Sequence, residues 1–252
     1  MSGLEVRQFP VGPIQENTYI VSAAGSARAV IVDPGDEAER LLAAARELGV
    51  EIEAILVTHC HFDHIGAVAE VARATGAPVY CPEIERGVLA DIPRWTPPGF
   101  GPFESYEADQ RVAGGERLSL AGLDIEVLFT PGHSPGHVTY AIAAAGEGTT
   151  VEGGGPAERV LLSGDVLFEG SVGRVDLPGG DWNVLERSIG SLLRAFPPRT
   201  AVYPGHMGAT TLGRELETNP FLAELRVPVE RAAPGEAPAP AARTAPDPAA
   251  GS

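Results

Sequence analysis

The sequence predicts an α/β fold, and three observations point to it. Short β-branched runs alternate with Ala/Leu/Glu/Arg-rich segments of helical spacing, which reads as βα units. Other strand candidates follow one another directly, joined by turn residues. Hydrophobic residues fill 44% of the 252 positions and charged residues 21%, enough apolar material for a sizeable core. Two sheets packed face to face with helices outside satisfy this pattern, although the pattern alone does not single that arrangement out.

The elements follow in order. Residues 18–21 and 29–32 are strands divided by a turn around Gly25. Asp33-Pro34-Gly35 breaks the pattern, and 36–48 reads as a helix closed by Gly49. Residues 54–57 form a buried strand that runs into Thr58-His59-Cys60-His61-Phe62-Asp63-His64. A second helix is expected over 65–75, ended by Gly76, and a strand over 78–81. The stretch 92–107 is rich in Pro, Gly and aromatics and fits no regular element. Strands resume at 125–129 and 138–142, and the Gly/Thr-rich stretch 146–155 reads as a flexible hairpin connection. A strand at 160–162 leads into Ser163-Gly164-Asp165. Residues 181–196 form a helix with an Asp N-cap, and 201–203 a strand that ends at Pro204-Gly205-His206. The expected organisation is one domain over 1–226 and a disordered Pro/Ala-rich tail over 227–252.

Charge narrows the function. The formal net charge is −16, and every basic residue is Arg. A surface this acidic argues against non-specific nucleic-acid binding and against docking on anionic membrane. Two cysteines, Cys60 and Cys81, do not make a disulfide scaffold. The first residues lack an apolar signal-peptide core, and no apolar run approaches ~18 residues. The expectation is a cytoplasmic protein acting on a small molecule.

The chemistry concentrates in His59-Cys60-His61-Phe62-Asp63-His64. Three imidazoles and a carboxylate behind a buried strand make a nitrogen/oxygen donor set for a transition metal. In extended chain, residues two apart face the same side, so His59 and His61 can grip one ion while Cys60 turns away as a small buried residue. Asp63 and His64 fall beyond, where the chain turns into a helix, within reach of a second ion. His133, Asp165 and His206 each follow a glycine just after a strand. Five of the six histidines fall in this set. The donor set suits zinc and also accepts iron or manganese.

The segment from His59 to His64 resembles the H-x-H-x-D-H signature of the metallo-β-lactamase superfamily. Asn17-Thr18-Tyr19, Asp33-Pro34-Gly35, the run from Thr130 to His137, Ser163-Gly164-Asp165 and Pro204-Gly205-His206 match in order. The stretches from Gly170 to Asp181 and from Thr218 to Phe221 look like the short glyoxalase II-like branch. The resemblance implies a four-layer αβ/βα sandwich with two metal ions at one edge. By it, His59, His61 and His133 hold one ion, Asp63, His64 and His206 hold the other, and Asp165 bridges them. Asp63 also orients the attacking hydroxide. His137 is not a ligand at the matching position and is expected to support the ligands, and Asp33 to hydrogen-bond a ligand imidazole. Arg174 is expected in a salt bridge, with contact to an anionic substrate as the alternative.

The implied activity is hydrolysis of an acyl thioester such as S-lactoylglutathione. Full-length glyoxalase II enzymes carry a C-terminal helical domain with basic glutathione contacts, whereas only a short segment and the Pro/Ala tail follow His206 here. Another low-molecular-weight thiol carrier is therefore open. The same fold hosts a competing chemistry, a persulfide dioxygenase type with one iron on His59, His133 and Asp165. A β-lactamase ranks lower, because a common form has Cys where Asp165 stands. The oligomeric state is not encoded in any motif.

Overall fold

A computed structural model describes residues 3–145 and 159–226. The hairpin connection expected over 146–155 and the tail expected over 227–252 lie outside those residues.

The first sheet runs β1 (Leu4–Val11), β2 (Glu16–Ala23), β3 (Arg28–Val32), β4 (Glu51–Leu56), β5 (Val79–Pro82) and β6 (Gln110–Val112), side by side in chain order. β1, β2 and β3 are antiparallel neighbours, and β3 to β6 are parallel. The second sheet contains β7 (Arg117–Leu120), β8 (Leu123–Phe129), β9 (Val138–Ala144), β10 (Val160–Gly164), β13 (Ala201–Pro204) and β14 (Thr210–Thr211). A small hairpin of β11 (Leu167–Phe168) and β12 (Ser171–Val172) lies between β10 and β13 in sequence. β10 and β13 pair in parallel, and the other neighbours of this sheet are antiparallel.

Period-two alternation sorts the side chains into layers. Val30, Val32, Ala54 and Leu56 face Ile125, Val127, Tyr140 and Leu162 across the gap between the sheets. Ile31 and Ile55 face the other way, onto Leu41 of α1 (Ala38–Leu48) and onto Val68 and Val71. On the far side, Leu161 and Val202 meet Leu185, Ile189 and Leu192, with Leu212 alongside. Three cores between four layers is the expected sandwich, with helices covering both outer faces.

The helices begin and end for local reasons. α1 stops at Gly49, whose left-handed backbone (φ 69°) returns its N–H to Ala45 and Arg46 carbonyls. The helix expected over 65–75 is instead two pieces, α2 (Phe62–Ile65) and α3 (Val68–Thr75). The break falls at Gly66-Ala67, where Ala67 N donates to Pro34 O and Gly66 packs against the Gly35 carbonyl and the Phe103 ring. The stretch from Ile92 also departs from expectation. It follows α4 (Arg86–Leu89) and opens with one helical turn, α5 (Ile92–Trp95). Pro93 sits in that first turn, where no backbone N–H is needed. Past it, residues up to Asp109 carry no regular element. α6 (Trp182–Ala195) starts as expected, with the Asp181 carboxylate accepting from Val184 N at 3.0 Å. α7 (Leu212–Thr218) completes the outer layer of the second sheet. Among the described residues no helix is long and apolar enough to cross a membrane.

Candidate metal centre

β4 ends at Leu56, and Val57 and Thr58 carry the chain on toward the second sheet. Val138 N of β9 donates to Thr58 O at 2.9 Å, so the two sheets are tied together where the histidine cluster begins. His59 Nε2 and His61 Nδ1 lie 3.1 Å apart, and Cys60 between them turns away onto Cys81 (Sγ–Sγ 3.5 Å). His61 caps α2 in extended backbone, which puts Asp63 and His64 on its single turn. His133 follows β8, Asp165 follows β10 and His206 follows β13.

These distant segments meet. His133 Nε2 is 2.8 Å from His61 Nδ1. His206 Nε2 is 3.3 Å from Asp63 Oδ2. The donor atoms of His59, His61 and His133 all lie within 4.8 Å of one another, as do those of Asp63, His64 and His206. Asp165 lies between the groups: Oδ1 is 3.4 Å from His64 Nε2, and Oδ2 is 3.4 Å from His133 Nε2 and 3.7 Å from His206 Nε2. All seven sequence candidates thus share one pocket. Asp33, His59 and His64 also cluster, but both Asp33 oxygens are already used by hydrogen bonds.

Hydrogen bonds behind the imidazoles decide which nitrogens face inward. His64 Nδ1 donates to Asp33 Oδ2 at 3.0 Å, and His133 Nδ1 donates to Arg174 O at 2.7 Å. Thr58 Oγ1 gives its proton to Asp33 Oδ2 (2.6 Å) and so accepts from His59 Nδ1 (3.1 Å). Each of these rings therefore turns its Nε2 to the pocket. His64 Nε2 and Asp165 Oδ1 are buried without a hydrogen-bond partner among the described residues. A proton on His61 Nδ1 satisfies one of its two nitrogen neighbours, whereas a cation satisfies all three. The donor set and its orphaned atoms fit divalent metal.

Electrostatics divide the rings: burial acts to lower His64 and His206, but the carboxylates of Asp165 and Asp63 outweigh it and raise both, so an incoming cation displaces protons there. Burial pushes His61 down to about 4, with His133 and His64 adding to the shift, so the ring is neutral and free to ligate at neutral pH. Burial also lowers His59 and His137 well below the ordinary imidazole value. For Asp165, burial acts to raise the carboxyl, but the charge and hydrogen bond of His64, with His133 and His206, hold it well below the carboxylate range.

The expected glycines have two different reasons. Gly164 needs its left-handed φ of 46°, and a Cβ there would also strike Thr58 Oγ1 and the His137 ring. Gly205 has no such backbone; it is small because a Cβ would run into Asp165 Oδ1 and the His64 ring. The Nε2 of His137 accepts from Asp165 N at 3.1 Å, and its ring stacks on His59 (4.8 Å, 28°). The Asn17-Thr18-Tyr19 motif braces the His206 loop. Tyr19 OH donates to Pro204 O at 2.7 Å, and Asn17 Nδ2 donates to Pro204 O and Met207 O at 3.0 and 2.9 Å. Arg174 pairs with Asp176 through two 2.7 Å bonds on the exposed rim, the salt bridge expected of it.

Two further buried acids, which the sequence does not single out, flank the centre. Glu16, at the head of β2, places Oε1 3.6 Å from His64 Nδ1. Its sequence signal is a lone charge opening an otherwise buried strand. Glu85 accepts from Cys60 N, Ser134 Oγ and Gly136 N. It stands among other charged residues in an ordinary-looking loop, and nothing in the sequence marks it.

The family model of the metallo-beta-lactamase superfamily matches residues 11–149, more than half of the chain. The chain belongs to the metallo-beta-lactamase superfamily. It is 38% identical over 221 residues to a probable metallo-hydrolase of Bacillus subtilis, YqgX, covering 86% of this chain and 96% of that one. It is 32% identical over 222 residues to the hydroxyacylglutathione hydrolase GloC of Haemophilus influenzae, covering 87% and 98%. Among solved structures, the BLEG-1 B3 metallo-beta-lactamase superposes with a TM-score of 0.76 at 38% identity, covering 87% of this chain and all of that one. TTHA1623 in a di-iron-bound form superposes with a TM-score of 0.66 at 42% identity, covering 86% and 100%. The protein is a metallo-hydrolase of this superfamily, a group that binds divalent metals.

Proposed function

We propose that this metallo-hydrolase is a dimetal thioesterase of the glyoxalase II type. In this reading His59, His61 and His133 hold one ion, Asp63, His64 and His206 the second, and Asp165 bridges them. One observation carries it: two donor triads flank a single carboxylate, and that carboxylate and His64 each keep a buried atom unbonded. The name of GloC supports the substrate class, and the di-iron form of TTHA1623 supports the ion count. Zinc is the first choice of metal, with iron or manganese also suited to the donors.

When bound, the two cations polarise a carbonyl oxygen and lower the pKa of water from ~15.7 toward ~7. The chain supplies orientation. Asp33 and Arg174 O fix His64 and His133 with their Nε2 atoms inward. Asp63, whose Oδ2 lies 3.3 Å from His206 Nε2, would also orient the attacking water. No Ser or Cys nucleophile is required, and Cys60 is buried and turned away. The substrate in this reading is a small acyl thioester.

The test is elemental analysis of purified protein beside a panel of acyl thioesters that includes S-lactoylglutathione. Two divalent ions per chain and thioester turnover are expected. Metal-loaded protein inert on every thioester removes the thioesterase reading, and turnover of a β-lactam in its place puts the chain with BLEG-1 in activity. One iron per chain with oxygen uptake favours the persulfide dioxygenase reading, which uses His59, His133 and Asp165 and leaves Asp63, His64 and His206 without a role.

A further inference from the structure

We infer that Glu85 is a positioning residue that sets the spacing of the three-histidine half of the metal centre. The inference rests on the two-ion reading above. Glu85 is only 5% exposed, and both of its oxygens are engaged. Oε2 accepts from Cys60 N at 2.6 Å. Oε1 accepts from Gly136 N at 2.8 Å and from Ser134 Oγ. One carboxylate therefore grips the backbone midpoint between His59 and His61 and also the loop that begins at His133.

Those two loops come from different sheets, after β4 and after β8. Their imidazoles must approach closely, with His61 Nδ1 2.8 Å from His133 Nε2. Among the described residues no other side chain hydrogen-bonds both Cys60 and the 134–136 segment. The seat is shaped for this strut: a Cβ on Gly136 would strike Glu85 Cγ and crowd Ile84 Cβ. The second triad is held by groups that Glu85 does not touch, since Asp33 holds His64 and Tyr19 and Asn17 hold the His206 loop. Loosening Glu85 should therefore act on one ion and spare the other.

Gln at this position keeps the shape but turns one oxygen into an NH₂ group, which faces a backbone N–H donor to donor. The test titrates Zn²⁺ into metal-stripped full-length protein in competition with a chromophoric chelator, resolving the two binding events. Glu85→Gln is expected to weaken one event by about 10–100-fold and to leave the other within about threefold. His133→Ala should abolish that same event, which identifies it. Ser134→Ala, which removes one donor, should weaken it less, and it carries the test if Glu85→Gln does not fold. Unchanged constants in both variants overturn the inference, and so does an equal loss in both events, the mark of a merely structural role. Wild-type protein that binds fewer than two ions overturns the two-ion reading itself.

Discussion

His64 Nδ1 lies 3.0 Å from Asp33 Oδ2, and the same carboxylate accepts from Thr58 N at 2.7 Å and from Thr58 Oγ1 at 2.6 Å. Asp33 thereby couples an imidazole of one triad, through Thr58, to His59 of the other. Replacing it with Ala leaves the His64 and Thr58 donors unpaired in a buried place, at a cost of about 1–3 kcal/mol. Asp33→Ala is also expected to lose about 10–100-fold in metal affinity. Denaturant unfolding of metal-stripped protein and chelator competition read the two effects separately, and wild-type values in both would contradict the coupling.

Asp165 faces both triads, so its removal should disturb both ions. Asp165→Ala is expected to abolish metal retention and hydrolysis together, with activity falling by about a hundredfold or more. A variant that still holds two ions per chain after dialysis would show that Asp165 does not bridge.

Gly205 offers a test of close packing. Gly205→Ala drives a methyl group toward Asp165 Oδ1 and the His64 ring. Overpacking of this kind costs about 1–3 kcal/mol, and metal affinity should fall with it. Gly87→Ala is the control, since a Cβ there meets nothing within 4 Å. Thermal melts of the two variants should separate clearly.

The buried imidazoles set a pH dependence for the metal-stripped protein. His61 is neutral in the fold down to about 4, whereas the unfolded chain takes up its proton near 6.5. Between those values the unfolded state binds more protons, so stability falls as pH falls from 6.5 toward 4. His59 and His137 act in the same direction. His64 is raised, because Asp165 and Asp63 outweigh its burial, so its contribution is full below 6.5 and is lost only at higher pH. Denaturant midpoints measured from pH 7 to 4 should decline steadily, and a flat profile would contradict the burial of these rings.

Much of this centre can be read from the chain because its donors sit where backbone geometry is simple. His59 and His61 share a face by strand periodicity, and their Nε2 and Nδ1 atoms do meet. His133, Asp165 and His206 stand behind glycines at strand ends, and the sandwich gathers those ends. What escapes is tertiary. Glu85 draws its role from three donors, 25 to 51 residues away, that no local pattern links to it. The break at Gly66-Ala67 depends on Pro34, across the fold. β1 escaped because it is an edge strand with exposed positions and Pro10 near its end, which blur alternation. Gly205 was expected for its backbone freedom and is instead required by the space beside Asp165.

The most direct measurement is anomalous diffraction from crystals of metal-loaded protein, collected on either side of the metal's absorption edge. Two peaks are predicted, one among His59, His61 and His133 and one among Asp63, His64 and His206, with Asp165 between them. A single peak, or any peak outside these side chains, would contradict the two-ion centre.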